Sequence, residues 1–169
     1  MVLLNEMKLK YEDGKIWLWR ETSGNRTLKN PDWWELKGCV RGDGYRLVGI
    51  NNKQYLYHRV VYYLHNKEWA IDDSSRDNYI DHIDRNKLNN SIENLRVVTH
   101  TQNQWNRNGK GYYFRKGKYA ARIIVDGEHK HLGLFVSEDE AHQAYLNAKA
   151  KHHVISCLSV PPPFEPPPE

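Results

Sequence analysis

The sequence predicts an α+β chain with three parts: a small β-rich N-terminal stretch, a central strand–loop–strand–helix, and a C-terminal three-stranded antiparallel sheet packed on one helix. Three observations predict it. Residues 8–57 alternate short apolar runs with turn dipeptides such as Asp13-Gly14. Residues 79–106 hold two apolar strand ends around an Asn-rich loop. Residues 111–136 form three strand-like runs separated by Lys116-Gly117-Lys118 and Asp126-Gly127, and a capped helical pattern follows. Four stretches result: 1–57, 58–108, 109–153 and a proline-rich tail, 154–169, which reads as extended and disordered.

The elements follow in order. Lys15-Ile16-Trp17-Leu18-Trp19-Arg20 reads as a strand after the Asp13-Gly14 turn. Residues 44–50 and 54–57 flank Asn51-Asn52-Lys53 as a hairpin. Trp17, Trp19, Trp33 and Trp34 are expected to pack a small core rather than to stack on bases. His58–His65 fits a short buried helix, although periodicity alone leaves a strand open. Residues 66–78 are polar and loop-like. Tyr79–His82 ends a strand, Leu95–Val98 returns as a second, and Thr99 caps a helix over 100–106. Ser137 and Glu140 form a capping box, and Ala141, Ala144, Tyr145 and Ala148 recur at helical spacing on one face.

Composition narrows the class. The 169 residues carry a formal charge of +4, and 20 are aromatic (six Trp, 11 Tyr and three Phe), which speaks against a wholly disordered chain. The charge is unevenly spread. Residues 1–57 hold 10 basic and 7 acidic side chains, residues 58–106 hold 6 and 7, and residues 107–153 hold 9 and 5. Basic flanks suit a polyanion, and an acidic middle suits a divalent cation. No apolar run is long enough to span a membrane, and the start does not read as a signal peptide. Cys39 and Cys157 make neither a disulfide framework nor a zinc knuckle. The expected setting is soluble, reduced and cytoplasmic.

The densest chemistry lies in residues 79–106. Asp81 and His82 stand together at a strand end, and Asn103 lies one turn into the following helix. A carboxylate and an amide oxygen are hard ligands of the kind magnesium prefers. An imidazole can take a proton from water near neutral pH. Taken alone, an Asp-His pair is more often a surface pair and an Asn-rich loop only a turn.

Residues 58–106 closely resemble the HNH endonucleases of phage-encoded and homing type. The resemblance runs through His58-Arg59-Val60-Val61, Ile80 to Asn90, Ile92 to Thr99, and Gln102-Asn103. It implies a ββα-metal core that clasps one divalent ion, magnesium or manganese, and hydrolyses double-stranded DNA. It assigns His82 as general base, Asn94 as the residue that orders the active-site loop, and Asp81 with Asn103 as metal ligands. Structural zinc is not expected. Arg85 and Lys87 are candidate DNA contacts. His58, Arg59 and His100 are further candidates, although a packed His58 is the plainer reading.

Residues 111–150 resemble the DNA-binding domain of plant Apetala and ethylene-response factors, through Gly111-Tyr112-Tyr113, Lys118 to Ile123, His131 to Phe135, and Glu140-Ala141 with Ala144-Tyr145. That implies a sheet lying in the major groove, with Tyr113, Arg115, Lys118, Arg122 and Lys130 as contacts. The arginines can equally serve phosphates alone. The alternatives are a non-catalytic DNA-binding regulator with an inactive nuclease motif, and an RNA-binding or RNA-processing protein. Nicking versus double-strand cleavage, the target and the oligomeric state are not legible.

Overall fold

The computed structural model describes residues 7–23 and 26–155, so the proline-rich tail and Cys157 lie outside the described residues. The fold is mixed α+β, with small sheets and few helices. Its contacts fall into two compact units, one within Met1–Val97 and one within Val98–Cys157, and each is taken by itself.

The first unit opens with three antiparallel strands in the order β1-β2-β3: β1 (Leu9–Glu12), β2 (Lys15–Ser23) and β3 (Arg26–Glu35). Asp13 and Gly14 both adopt positive φ, the conformation a tight two-residue turn demands. β3 contains Pro31, which donates no hydrogen bond and is tolerated on an edge strand or at a bulge. Both conditions hold. β3 is an edge strand, and the ladder with β2 breaks between Arg20 and Thr22, where Arg20 pairs with Asp32 but Thr22 with Thr27.

A second sheet follows, ordered β4-β5-β6: β4 (Cys39–Val40), β5 (Arg46–Ile50) and β6 (Lys53–Leu56). Asn51 and Asn52, both at positive φ, turn β5 into β6 as a hairpin. The chain then enters helix α1 (Tyr57–His65), in which Tyr57, His58 and Val60 to Leu64 are all buried. A helix apolar on nearly every side belongs inside a core. Here it is the centre of a cluster with Ile16, Val48, Ile50, Ile71, Ile80 and Leu95. The Ile16 amide donates to the Tyr57 hydroxyl at 2.9 Å, which ties the first sheet to the helix. Two further strands, β7 (Tyr79–His82) and β8 (Leu95–Val98), pair as a two-stranded sheet.

The four tryptophans do not build this core. Lys10 pairs with Trp17 and Trp19 with Trp33, so Trp17, Trp19 and Trp33 share the face opposite Ile16. Trp19 and Trp33 meet edge to face at 5.5 Å, and Lys8 and Lys10 lie over their rings. Trp34 is exposed. Aliphatic residues and the α1 tyrosines Tyr57, Tyr62 and Tyr63 fill the interior that the tryptophans were expected to fill.

The second unit begins with α2 (His100–Trp105). Thr99 accepts from the Gln102 amide, and the Gln102 side chain accepts from the Thr99 amide, a complete capping box. Three antiparallel strands follow in the order β11-β10-β9: β9 (Tyr112–Arg115), β10 (Lys118–Val125) and β11 (Glu128–Phe135). Helix α3 (Glu138–His152) packs on this sheet and starts at the Ser137–Glu140 box. Ala121, Ile123 and Val125 of β10 are buried, and Ala141 of α3 is fully buried. Gly111 is required by close approach: a Cβ there would fall 1.9 Å from the Tyr145 ring.

Candidate active site

Asp81 and His82 are the last two residues of β7, and both are buried. Neighbours on a strand point to opposite faces, so the two side chains find different partners. Asp81 Oδ2 accepts from Arg96 Nε at 3.0 Å and from an Arg96 terminal nitrogen at 2.8 Å. The pair is well shielded, at 8% and 15% side-chain exposure. His82 instead meets His58 of α1 edge to face at 4.8 Å and Tyr45 at 6.0 Å, and its Nε2 lies 3.1 Å from Asn90 Oδ1.

The loop between the strands is closed by amides. Asn94, in a single 3-10 turn over Ile92–Asn94, is its hub. The Asp84 amide donates to Asn94 Oδ1 at 3.0 Å, and Asn94 Nδ2 donates to Asp84 Oδ1 and to the Asn89 carbonyl at 2.9 and 2.8 Å. The Ile83 amide donates to the Asn94 carbonyl at 2.9 Å. The Asn89 side chain and the Asn86 amide also donate to Asp84, and these bonds, Asn89 first, hold its carboxyl below the ordinary carboxylate value. The segment that carries His82 is thereby braced by side-chain bonds where regular secondary structure stops.

His58 is 3% exposed, and its Nδ1 has no hydrogen-bond partner among the described residues. Burial, helped by the neighbouring His82 and Arg59, pushes its pKa down to about 3, so the ring is neutral. Arg59 donates to the backbone carbonyls of Ile71, Asp73 and Asn78 and lies 4.6 Å over the Trp69 ring, fastening the 66–78 loop. Lys87 donates to the Asp43 carbonyl at 2.8 Å and lies 4.5 Å over Tyr45, whereas Arg85 is exposed at the loop's tip with positive φ.

Asn103 and His100 belong to the second unit, in the first turns of α2. The Asn103 amide donates to the Thr99 carbonyl at 2.9 Å, and His100 Nε2 lies 3.5 Å from the Gln104 side chain. In the C-terminal sheet, Tyr113 and Leu134 pair with Ala120, and Arg115 pairs with Lys118. Alternation puts Tyr113, Arg115, Lys118 and Arg122 on the face away from α3. Lys130 departs from them. β11 holds one extra residue where Arg122 pairs with His131, and this bulge sets Lys130 opposite the buried Ile123. His129 and His131 take places on the open face instead.

Reading the residues alone missed Tyr45, Asn90 and Arg96. Asn90 sat in a loop read only as a turn. Arg96 left one signal, a single charged residue inside the otherwise apolar Leu95–Val98 strand.

The donor chemistry fits a divalent cation in part. Asp81 offers a hard carboxylate oxygen, and both Arg96 bonds fall on its Oδ2. Among the described residues no group of three or more His, Cys, Asp or Glu side chains is placed to hold an ion. An ion at Asp81 would therefore be completed by amide, water and substrate oxygens.

Residues 55–105, from β6 through α2, match the model of the HNH endonuclease family. An uncharacterized HNH endonuclease of Acanthamoeba polyphaga mimivirus is 38% identical over 74 residues, covering 41% of this chain and 40% of its own. A candidate HNH homing endonuclease derived from the SPbeta prophage of Bacillus subtilis (strain 168) is 32% identical over 84 residues, covering 47% and 43%. A second uncharacterized mimivirus HNH endonuclease is 40% identical over 72 residues, covering 40% and 20%. The chain thus spans less than half the length of these curated relatives. No solved structure matches it.

Proposed function

We propose that the chain is a metal-dependent DNA endonuclease of HNH type, of phage or mobile-element origin, acting in the cytoplasm of the host cell. One observation carries the reading: a buried Asp81-His82 pair ends a strand and is held by a loop whose bonds converge on Asn94. In this reading His82 takes a proton from the attacking water, and Asn94 keeps the segment in place. Asp81 holds one divalent ion, magnesium or manganese, and the family resemblance gives Asn103 the same task. Bound there, the ion would stabilise charge on the phosphate and the leaving oxygen. The open face of β9–β11 binds duplex DNA in the manner its Apetala-like residues suggest, through Tyr113, Arg115, Lys118 and Arg122, and Arg85 and Lys87 of the loop after His82 add contacts. No helix among the described residues is long and apolar enough to cross a membrane.

The test is digestion of supercoiled plasmid and of RNA, side by side, with and without each metal. The expected result is DNA cleavage that requires the ion. His82→Ala should bind DNA as before and cut about 100-fold to 10,000-fold more slowly. Cleavage retained in that variant would overturn the base assignment. One observation favours a second reading, a DNA-binding protein that does not cut: Asp81 is already matched by a cation, Arg96. Intact plasmid under every metal, with DNA still bound, would select it.

A further inference from the structure

His82 is held by more than its strand. Its Nε2 faces Asn90 Oδ1 at 3.1 Å, and Asn90 Nδ2 donates to the Leu88 carbonyl at 3.1 Å. A carbonyl oxygen only accepts, so Leu88 decides which end of the Asn90 amide is nitrogen. The other end is then an oxygen, which also only accepts. The His82 nitrogen opposite it must carry hydrogen. A neutral imidazole has one ring proton, so Nδ1 holds the lone pair. The ring plane is set separately, by the edge-on His58 at 4.8 Å and by Tyr45 at 6.0 Å. Both bonded partners are buried, His82 at 4% and Asn90 at 7% exposure, which limits competition from water.

We infer that Asn90 is a positioning residue for the proposed cleavage: it holds His82 in the Nε2–H tautomer, so that Nδ1 is the nitrogen that takes the proton from water. The catalytic meaning rests on the nuclease reading above. The tautomer rests on the two hydrogen bonds alone. Asn90 acts here as the orienting partner does in other base–orienter pairs, where the group behind the imidazole selects its tautomer. As a neutral amide it does this without adding charge beside Asp81.

The full chain, labelled with nitrogen-15, reports the tautomer directly. Ring correlations are recorded about two pH units above the ordinary histidine value, with the His82 signals assigned by their loss in His82→Gln. The expected spectrum has Nε2 protonated and Nδ1 unprotonated. Nδ1 protonated in the native chain overturns the inference with no variant needed. Asn90→Ala should mix the tautomers, and Asn90→Asp, which keeps an acceptor, should preserve Nε2–H. An unchanged tautomer in a folded Asn90→Ala chain also overturns it. In plasmid cleavage, Asn90→Ala should lower kcat about 10-fold to 100-fold with KM unchanged, and Asn90→Asp should recover part of the loss. A shifted tautomer with unchanged kcat would remove the positioning role. The expected spectrum in a chain that cuts nothing would sink the nuclease reading and leave the tautomer assignment standing.

Discussion

Two three-stranded antiparallel sheets, β1–β3 and β9–β11, have the same meander topology and both present basic side chains on an outer face. In the first, the three lysines beside the tryptophan rings each have a carboxylate: Lys8 with Glu21, Lys10 with Glu12, and Lys15 with Glu35. Half-buried tryptophans lie beneath them. In the second, Arg115, Lys118 and Arg122 share the open face, and none is in an ion pair among the described residues. Arg122 lies over the Tyr113 ring at 5.1 Å. Basic residues alone thus do not make a polyanion site. What matters is whether their counter-charges are already on the protein, because a matched lysine has less to gain from a phosphate. The first unit also matches charge in its interior, at Asp81 and Arg96.

Breaking that interior match should produce the largest effect. Arg96→Met leaves the buried Asp81 carboxylate without its cation. Removal of one partner from such a pair costs about 3–5 kcal/mol. Denaturant unfolding should show a loss of this order without divalent metal. Millimolar magnesium should recover part of it if Asp81 binds the ion, since a ligand that binds only the folded state stabilises it. A loss under about 1 kcal/mol would mean that the pair is weaker than its burial implies. No recovery with magnesium or manganese would count against Asp81 as the metal ligand.

Next in size is the acid response of His58, a buried group left uncharged rather than matched. Its folded value of about 3 lies below its ordinary 6.5, so the unfolded chain takes up a proton that the folded chain refuses. The stability this neutral ring contributes is complete above about pH 6.5 and is lost as pH falls toward 3. Between pH 7 and 5 the loss should approach about 2 kcal/mol. His58→Phe removes the titrating group while keeping a ring, and should flatten that part of the curve. Equal acid sensitivity in the variant and the parent would assign the effect elsewhere.

The open sheet face comes third. Replacing Arg115, Lys118 and Arg122 together by Ala should weaken DNA binding about 10-fold to 100-fold. It should also reduce the slope of log affinity against log salt by about 0.9 for each phosphate that is no longer neutralised. A salt slope identical to that of the parent would remove this face as the DNA-binding surface.

Much of this was legible where local chemistry decides. Asn51-Asn52 and Asp126-Gly127 turn their hairpins because those residues accept positive φ, and the boxes at Thr99–Gln102 and Ser137–Glu140 start their helices. Legibility failed where distant pairing decides. Pro31 hides β3, because only an edge position and a bulge make a strand through it possible. The β11 bulge turns Lys130 away from the face that simple alternation would give it and puts His131 there. At the candidate site, Asp81 and His82 stand out as residue types side by side, and Asn94 stands out through the family resemblance. Arg96 lies 15 residues beyond Asp81, and Asn90 meets His82 only after Asn94 has closed the loop.

The smallest expected effect is the sharpest test of the contrast between the sheets. Replacing Lys8, Lys10 and Lys15 by Met removes as many positive charges as the open-face variant does. Exposed ion pairs contribute little to stability, and Met keeps a flexible apolar chain to lie over the tryptophans. The melting temperature should therefore move by only a few degrees. DNA affinity should stay within about twofold and the salt slope should not change, because each lysine releases no more than its own carboxylate partner already holds. If this variant instead lowers the salt slope as far as the open-face variant does, local matching is irrelevant and net charge alone governs binding. If it lowers the slope further, the tryptophan-lined sheet is the DNA-binding surface and the assignment of the two faces is reversed.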